Sequence, residues 1–174
     1  GVDPGVAAPA DVAGGAITAE RAAGDLTVNG TDVGLTATAG GDASEVAAAI
    51  NAVEAGIATA TNSITFAFAT VSETGGTNGL TYDLDVNGTG IAQQAIAASG
   101  SLDAATLAGA IDALTGITAT DDGSGNITVS TDDGSNLILE NQVVAGTGTQ
   151  SGAGVAGGDL DVTTVGTVDI SSAA

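Results

Sequence analysis

Any chemistry in this chain must come from its carboxylates. Of 174 residues, 21 are Asp or Glu and one, Arg21, is basic, giving a formal charge of −20. Two acidic stretches stand out: Asp121-Asp122-Gly123-Ser124-Gly125-Asn126 and Asp132-Asp133-Gly134-Ser135-Asn136. Both offer oxygen ligands of the kind calcium takes, yet neither closes on the glutamate of an EF-hand loop. Gly157-Gly158-Asp159-Leu160 is only a scrap of a calcium-binding nonapeptide repeat. Asp, Asn and Gly are also what tight turns use, and turn chemistry accounts for all three stretches. Paired carboxylates for glycoside hydrolysis need burial and a cleft. Here they fall in expected turns, and only Phe66, Phe68 and Tyr82 are available to stack a sugar. The chain is therefore read as no enzyme, with no catalytic, cofactor-binding or metal residues assigned and no cofactor.

The missing residue types narrow the choice further. Without His or Cys there is no usual zinc site, no disulfide and no His- or Cys-based nucleophile system. Without Lys there is no Schiff base and no phosphate-loop lysine. One Arg cannot neutralise a nucleic-acid backbone, so no nucleic-acid partner is expected. No membrane partner is expected either: an anionic surface would repel the chain, and no apolar run approaches the roughly 18–20 residues of a span. A solvated, self-repelling surface accounts for the acidity. Adaptation to salty water, where screening removes the repulsion, is the sharper reading. Asn29-Gly30-Thr31, Asn87-Gly88-Thr89 and Asn126-Ile127-Thr128 match the N-glycosylation pattern, but the first two read as turns first.

The elements that would position these residues come twice. Leu26-Thr27-Val28-Asn29-Gly30 recurs as Leu84-Asp85-Val86-Asn87-Gly88, and Val46, Ile50 and Val53 recur as Leu107, Ile111 and Leu114. Gly56-Ile57 returns as Gly116-Ile117. In the first copy Leu26 and Val28 alternate with Thr27 as in a half-buried strand, and Asn29-Gly30 predicts a hairpin turn. Asp42 is the expected N-cap of a helix, with Glu45 completing a capping-box pattern. Val46, Ala49, Ile50 and Val53 make its apolar face, and Gly56 ends it. Strands follow at Ile57–Thr61 and Ile64–Val71, with Ile64, Phe66 and Phe68 on one face.

The loop 74–79 separates the copies. In the second, Tyr82, Leu84 and Val86 alternate, Asn87-Gly88 turns, and Asp103 caps a helix with Leu107, Ala110, Ile111 and Leu114 on its apolar face. Strands are expected at Ile117–Thr120, Ile127–Thr131 and Leu137–Glu140. Before the first copy, residues 1–24 read as a connector with one short strand near Ala16–Ala19. After the second, residues 145–158 read as a flexible return and Leu160–Val165 as a strand. Hydrophobic residues make up 43% of the chain but much of that is Ala, so the core should be thin.

Asp25-Leu26-Thr27-Val28-Asn29-Gly30, the capped helix ending Ala48-Ala49-Ile50-Asn51-Ala52, and Gly56-Ile57-Ala58-Thr59-Ala60 resemble a unit of flagellins and related flagellar axial proteins. That unit is named for its Ile-Asn pair, here Ile50-Asn51; the second copy departs from it with Ile111-Asp112. The stretch 131–140 resembles the end of such a unit. Val168-Asp169-Ile170-Ser171 resembles the entry into the C-terminal helical segment, and a helix is expected to start after Asp169 or Ser171. The resemblance implies the variable outer region of a bacterial flagellin, projecting from a filament built by terminal helices that this chain does not include. It implies an extracellular place on the filament surface, partnership with other flagellin subunits through flanking regions, and O-linked glycans on exposed Ser or Thr. The piece alone should be monomeric. Hook-associated and filament-capping proteins share the unit, and an acidic adhesin or surface-layer repeat is the reading outside the flagellum.

The expected fold is α+β and β-rich: two related small lobes, each an antiparallel sheet with one helix. The expected division is 1–24 connector, 25–73 first lobe, 74–142 second lobe and 143–174 return segment. The connector and the return segment would form a two-way stem with neighbouring ends. Leu160–Val165 would join the first lobe's sheet.

Overall fold

The computed structural model describes residues 12–13, 24, 26–34, 42–155 and 162–170. The fold is α+β and β-rich, with two short helices and several antiparallel sheets. The chain forms two compact units: 1–62 with 131–136 and 165–174, and 63–130 with 137–164. The division falls inside one long strand, Ala58–Ala69, rather than at the loop 74–79. The sequence predicts two strands there, interrupted at Asn62-Ser63. No Gly or Pro is present to break the pleat, and Asn62 spends its amide on the Ser135 carbonyl at 2.8 Å instead of on a turn.

In the first unit, Thr27–Val28 and Thr31–Asp32 form the expected hairpin. Asn29 and Gly30 adopt φ of 51° and 78°, the left-handed pair that such a turn demands. Helix α1 (Ala43–Val53) follows, with Asp42 as N-cap. The Asp42 carboxylate accepts from the Ser44 amide at 3.0 Å. Ala43, Val46, Ala47 and Ile50 are buried, while Ala49 and Val53 sit half-buried at the edge of the face. Val46, Ala47, Ile50, Ile57 and Ala58 form the small core, flanked by Leu26, Val28, Val33, Ala60 and Val168.

The end of the chain departs from the expectation. Asp169 does not cap a helix: Thr167–Ile170 is a strand paired antiparallel with Ala58–Thr61, and a helix capped by Ser171 would lie outside the described residues. Val168 lies against the core and Thr167 bonds Thr61 between hydroxyls at 3.0 Å, so alternation overrides the capping signal. The outer edge of that strand is taken by Val12–Ala13, with Val12 opposite Ile170. The expected strand near Ala16–Ala19 and residues 171–174 lie outside the described residues.

The second unit is larger and better filled. Its central sheet runs Val162–Thr164, Leu137–Gly146, Leu80–Val86, Thr89–Gly90, with Gln94–Ile96 also on Leu80–Val86. Val162–Thr164 pairs with Leu137–Leu139, so this late strand belongs here and not with the first lobe. The return segment is likewise structured where described: Gln150–Ser151 pairs with Val71–Glu73, and Gly154–Val155 with Phe68–Ala69. Helix α2 (Ala104–Asp112) is capped by Asp103, which accepts from the Thr106 amide at 2.9 Å. Leu107 and Ile111 are fully buried among Tyr82, Leu84, Ile127, Val129, Leu137 and Leu139. The Phe68 and Tyr82 rings meet edge to face at 5.7 Å.

Candidate functional site

In the acidic turns and at the helix caps the carboxylates accept from backbone amides. In the first acidic turn, Asp122 accepts from the Ser124 amide at 2.7 Å, the Asn126 amide at 3.1 Å and the Asn126 side chain at 2.6 Å. The Asn126 side chain and then the two amides hold its pKa below the usual carboxylate range. In the second, Asp133 accepts from Ser135, whose hydroxyl and amide lower its pKa. Gly134 in that turn has φ of 72°, and a Cβ there would sit 2.3 Å from the Ala60 carbonyl carbon. Among the described residues, no three acidic side chains come together to hold a metal. Asp121 carries one buried oxygen without a partner, beside a recess of about 190 Å³ lined also by Phe68, Thr70 and Asp103. Asp103 is already committed to the cap of α2.

The most elaborate carboxylate is one the sequence reading did not single out. Glu73, 2% exposed, ends the strand Val71–Glu73. Four backbone amides donate to it: Gly75 at 2.6 Å, Ser99 at 2.8 Å, Gly76 at 3.0 Å and Thr149 at 3.0 Å. One side chain thus fastens three separate loops of the second unit. The Ser99 amide first, then those of Thr149, Gly76 and Gly75, outweigh burial and lower its pKa to about 2. Such a group has no proton to give at neutral pH, and its lone pairs are taken. It is a clamp and not an acid–base catalyst. The signal was Glu73 at a strand end just before Gly75-Gly76: short backbone at the loop can close around a carboxylate.

The Ile-Asn pair also has a defined task. The Asn51 side chain donates to the Ala58 carbonyl at 2.8 Å and accepts from the Ala58 amide at 2.9 Å, pinning the next strand to α1. In the second copy Asp112 accepts from the Ala119 amide at 2.9 Å. A carboxylate cannot donate, so the bond to the carbonyl is lost. Asp112→Asn should therefore raise stability by about 0.5–1.5 kcal/mol, and Asn51→Asp should lower it by a similar amount. Urea unfolding of both variants checks this; two changes of the same sign would contradict it.

The sequon asparagines serve turns. Asn87 has φ of 51° and accepts from the Ile138 amide at 2.7 Å. Asn29 repeats the φ of 51° and donates to Glu54. No helix among the described residues is long and apolar enough to cross a membrane. Compared with known proteins, the chain matches no protein-family model and no curated protein.

Proposed function

We propose that this chain is the outer, solvent-facing region of a bacterial flagellin, a structural and non-enzymatic part of an extracellular motility filament. The observation that carries the reading is the pairing of Val12–Ala13 with Asp169–Ile170. These two strands, far apart in sequence, lie side by side and antiparallel, an arrangement that suits a lobe inserted between two filament helices. The repeated hairpin–helix–strand order, with Asn51 and Asp112 in matching roles, supports the same reading. The lobes would set the filament's surface charge, outer contacts and antigenicity. O-linked glycans would be carried on exposed Ser or Thr. Filament partners would be other subunits, held through flanking regions. The flanking coding sequence tests this. Long helical segments on both sides are expected; many further tandem copies of the same unit would replace the reading with an adhesin or surface-layer array.

Charge has a consequence for such a surface. The described residues include no Lys, Arg or His, so their carboxylates repel one another with no basic side chain among them. Raising NaCl from millimolar to molar should raise the melting temperature by several °C, by screening. Sucrose at equal osmolality should do less. Equal effects of the two would contradict the electrostatic cause.

A further inference from the structure

The pair Asn-Gly occurs three times, as Asn29-Gly30, Asn78-Gly79 and Asn87-Gly88. In this pair the asparagine side chain is open to attack by the next backbone nitrogen, because glycine puts no Cβ in the way. The structure holds the three copies differently. Asn87 is fixed on both sides: its backbone amide donates to the Ile138 carbonyl at 2.8 Å, and its side-chain carbonyl accepts from the Ile138 amide at 2.7 Å. The preceding Val86 is buried in the core of the second unit. Asn29 has the same left-handed turn position and the same Val-Asn-Gly-Thr sequence. Its hairpin, however, has two residue pairs, and its side chain bonds Glu54. Asn78 is exposed in the loop 74–79, and its side chain reaches only the hydroxyl of its own neighbour Thr77, at 3.4 Å.

We infer that Asn78 is a site of spontaneous deamidation, left open by a fold that closes the other two. The Gly79 nitrogen attacks the side-chain carbonyl carbon of Asn78. The new C–N bond closes a five-membered succinimide, and the side-chain nitrogen leaves as ammonia with the proton that Gly79 gives up. Water then opens the ring at either carbonyl, giving aspartate or isoaspartate. Each event adds a negative charge to a chain already at −20. Isoaspartate also lengthens the main chain by one methylene. The loop has little slack to absorb it: Gly75 and Gly76 are tied to Glu73, and Leu80 is paired with Ile96 and Gly146. On its far side the backbone is packed, because a Cβ on Gly148 would sit 2.8 Å from the Asn78 carbonyl oxygen. Gly148 precedes Thr149, whose amide is itself held by Glu73. Isoaspartate at this position therefore pulls on the Glu73 clamp.

The site rests on these loops and not on the flagellin reading, and the folded chain itself tests it. The chain is aged at mildly alkaline pH, which deprotonates the attacking amide, then unfolded and cut by a protease that cleaves before aspartate. The three pairs fall in separate peptides, 25–31, 42–82 and 85–102. A locked pair reacts only when its hairpin opens, so Asn78 should convert about tenfold faster than Asn87, with Asn29 between them. Ageing in urea should bring the three rates together. Aspartate formed at position 78 opens a new cut there, isoaspartate gives the same gain in mass without the cut, and Asn78→Gln should give neither. Chains carrying isoaspartate at 78 should exchange the Gly75 and Gly76 amides faster than Asn78→Asp, which has the same charge on a normal backbone. Equal rates in the folded chain, a lead by Asn87, or a lead by Asn78 that urea leaves unchanged would overturn the inference. Equal amide exchange in the two forms would overturn the pull on the clamp.

Discussion

Ile50→Ala should unfold the first unit and leave the second folded. Ile50 is 1% exposed and sits in a buried set of five residues, two of them alanines. Removing its side chain costs about 2–5 kcal/mol, because so thin a core cannot close over the cavity. Domains of this size have only about 0.05–0.15 kcal/mol of stability per residue, so the loss is comparable with the whole. Ile111→Ala removes the same atoms from the matching helix position. The second unit should survive it with a lowered midpoint, since Ile111 lies among nineteen buried residues. Tyr82 makes the distinction measurable. It is the only tyrosine, and it is fully buried in the second unit. In Ile50→Ala, amide protection should vanish in the first unit while the Tyr82 fluorescence midpoint in urea barely moves. A Tyr82 midpoint that fell as far as in Ile111→Ala would contradict two separate cores.

Glu73→Gln should loosen three loops at once. The substituted amide presents a donor where four backbone N–H groups already point, leaving several unsatisfied. A fall in melting temperature of roughly 5 °C or more is expected at neutral pH. Exchange of the Gly75, Gly76, Ser99 and Thr149 amides should accelerate together. The clamp also fixes a pH dependence. Its folded pKa of about 2 lies below the usual 4.5, so its stabilisation is full above 4.5 and is lost as pH falls toward 2. Protonation of the other carboxylates relieves repulsion in the same window and acts in the opposite sense. The difference between wild type and Glu73→Gln isolates the clamp. It should be constant above pH 4.5 and shrink toward zero near pH 2. A difference that grew on acidification would contradict the assignment.

Local signals were legible in the sequence wherever one residue type decides the backbone. Asn29-Gly30 and Asn87-Gly88 turn as their left-handed tolerance requires, and Asp42 and Asp103 cap the helices they precede. The apolar faces of both helices followed from spacing, although buried Ala43, Ala47, Ala104 and Ala108 carry more of each face than the larger residues alone suggested. What escaped was non-local. The Ala58–Ala69 strand is continuous because Asn62 finds Ser135, 73 residues away. Val162–Thr164 pairs with Leu137–Leu139 and Thr167–Ile170 with Ala58–Thr61, choices that periodicity cannot make. Glu73 depends on amides from three loops distant in sequence, so only its Gly-rich flank was visible. The acidic turns suit both chemistries, and Asp122 and Asp133 bond the backbone of their turns.

The central claim, an outer region of a flagellin, is tested most directly by immunogold labelling of the source cells with antibody raised against this chain. Gold along the full length of the filaments is the predicted result. Gold confined to the filament tip or hook junction would move the chain to a capping or junction protein, and gold over the cell body beside bare filaments would contradict the flagellar reading altogether.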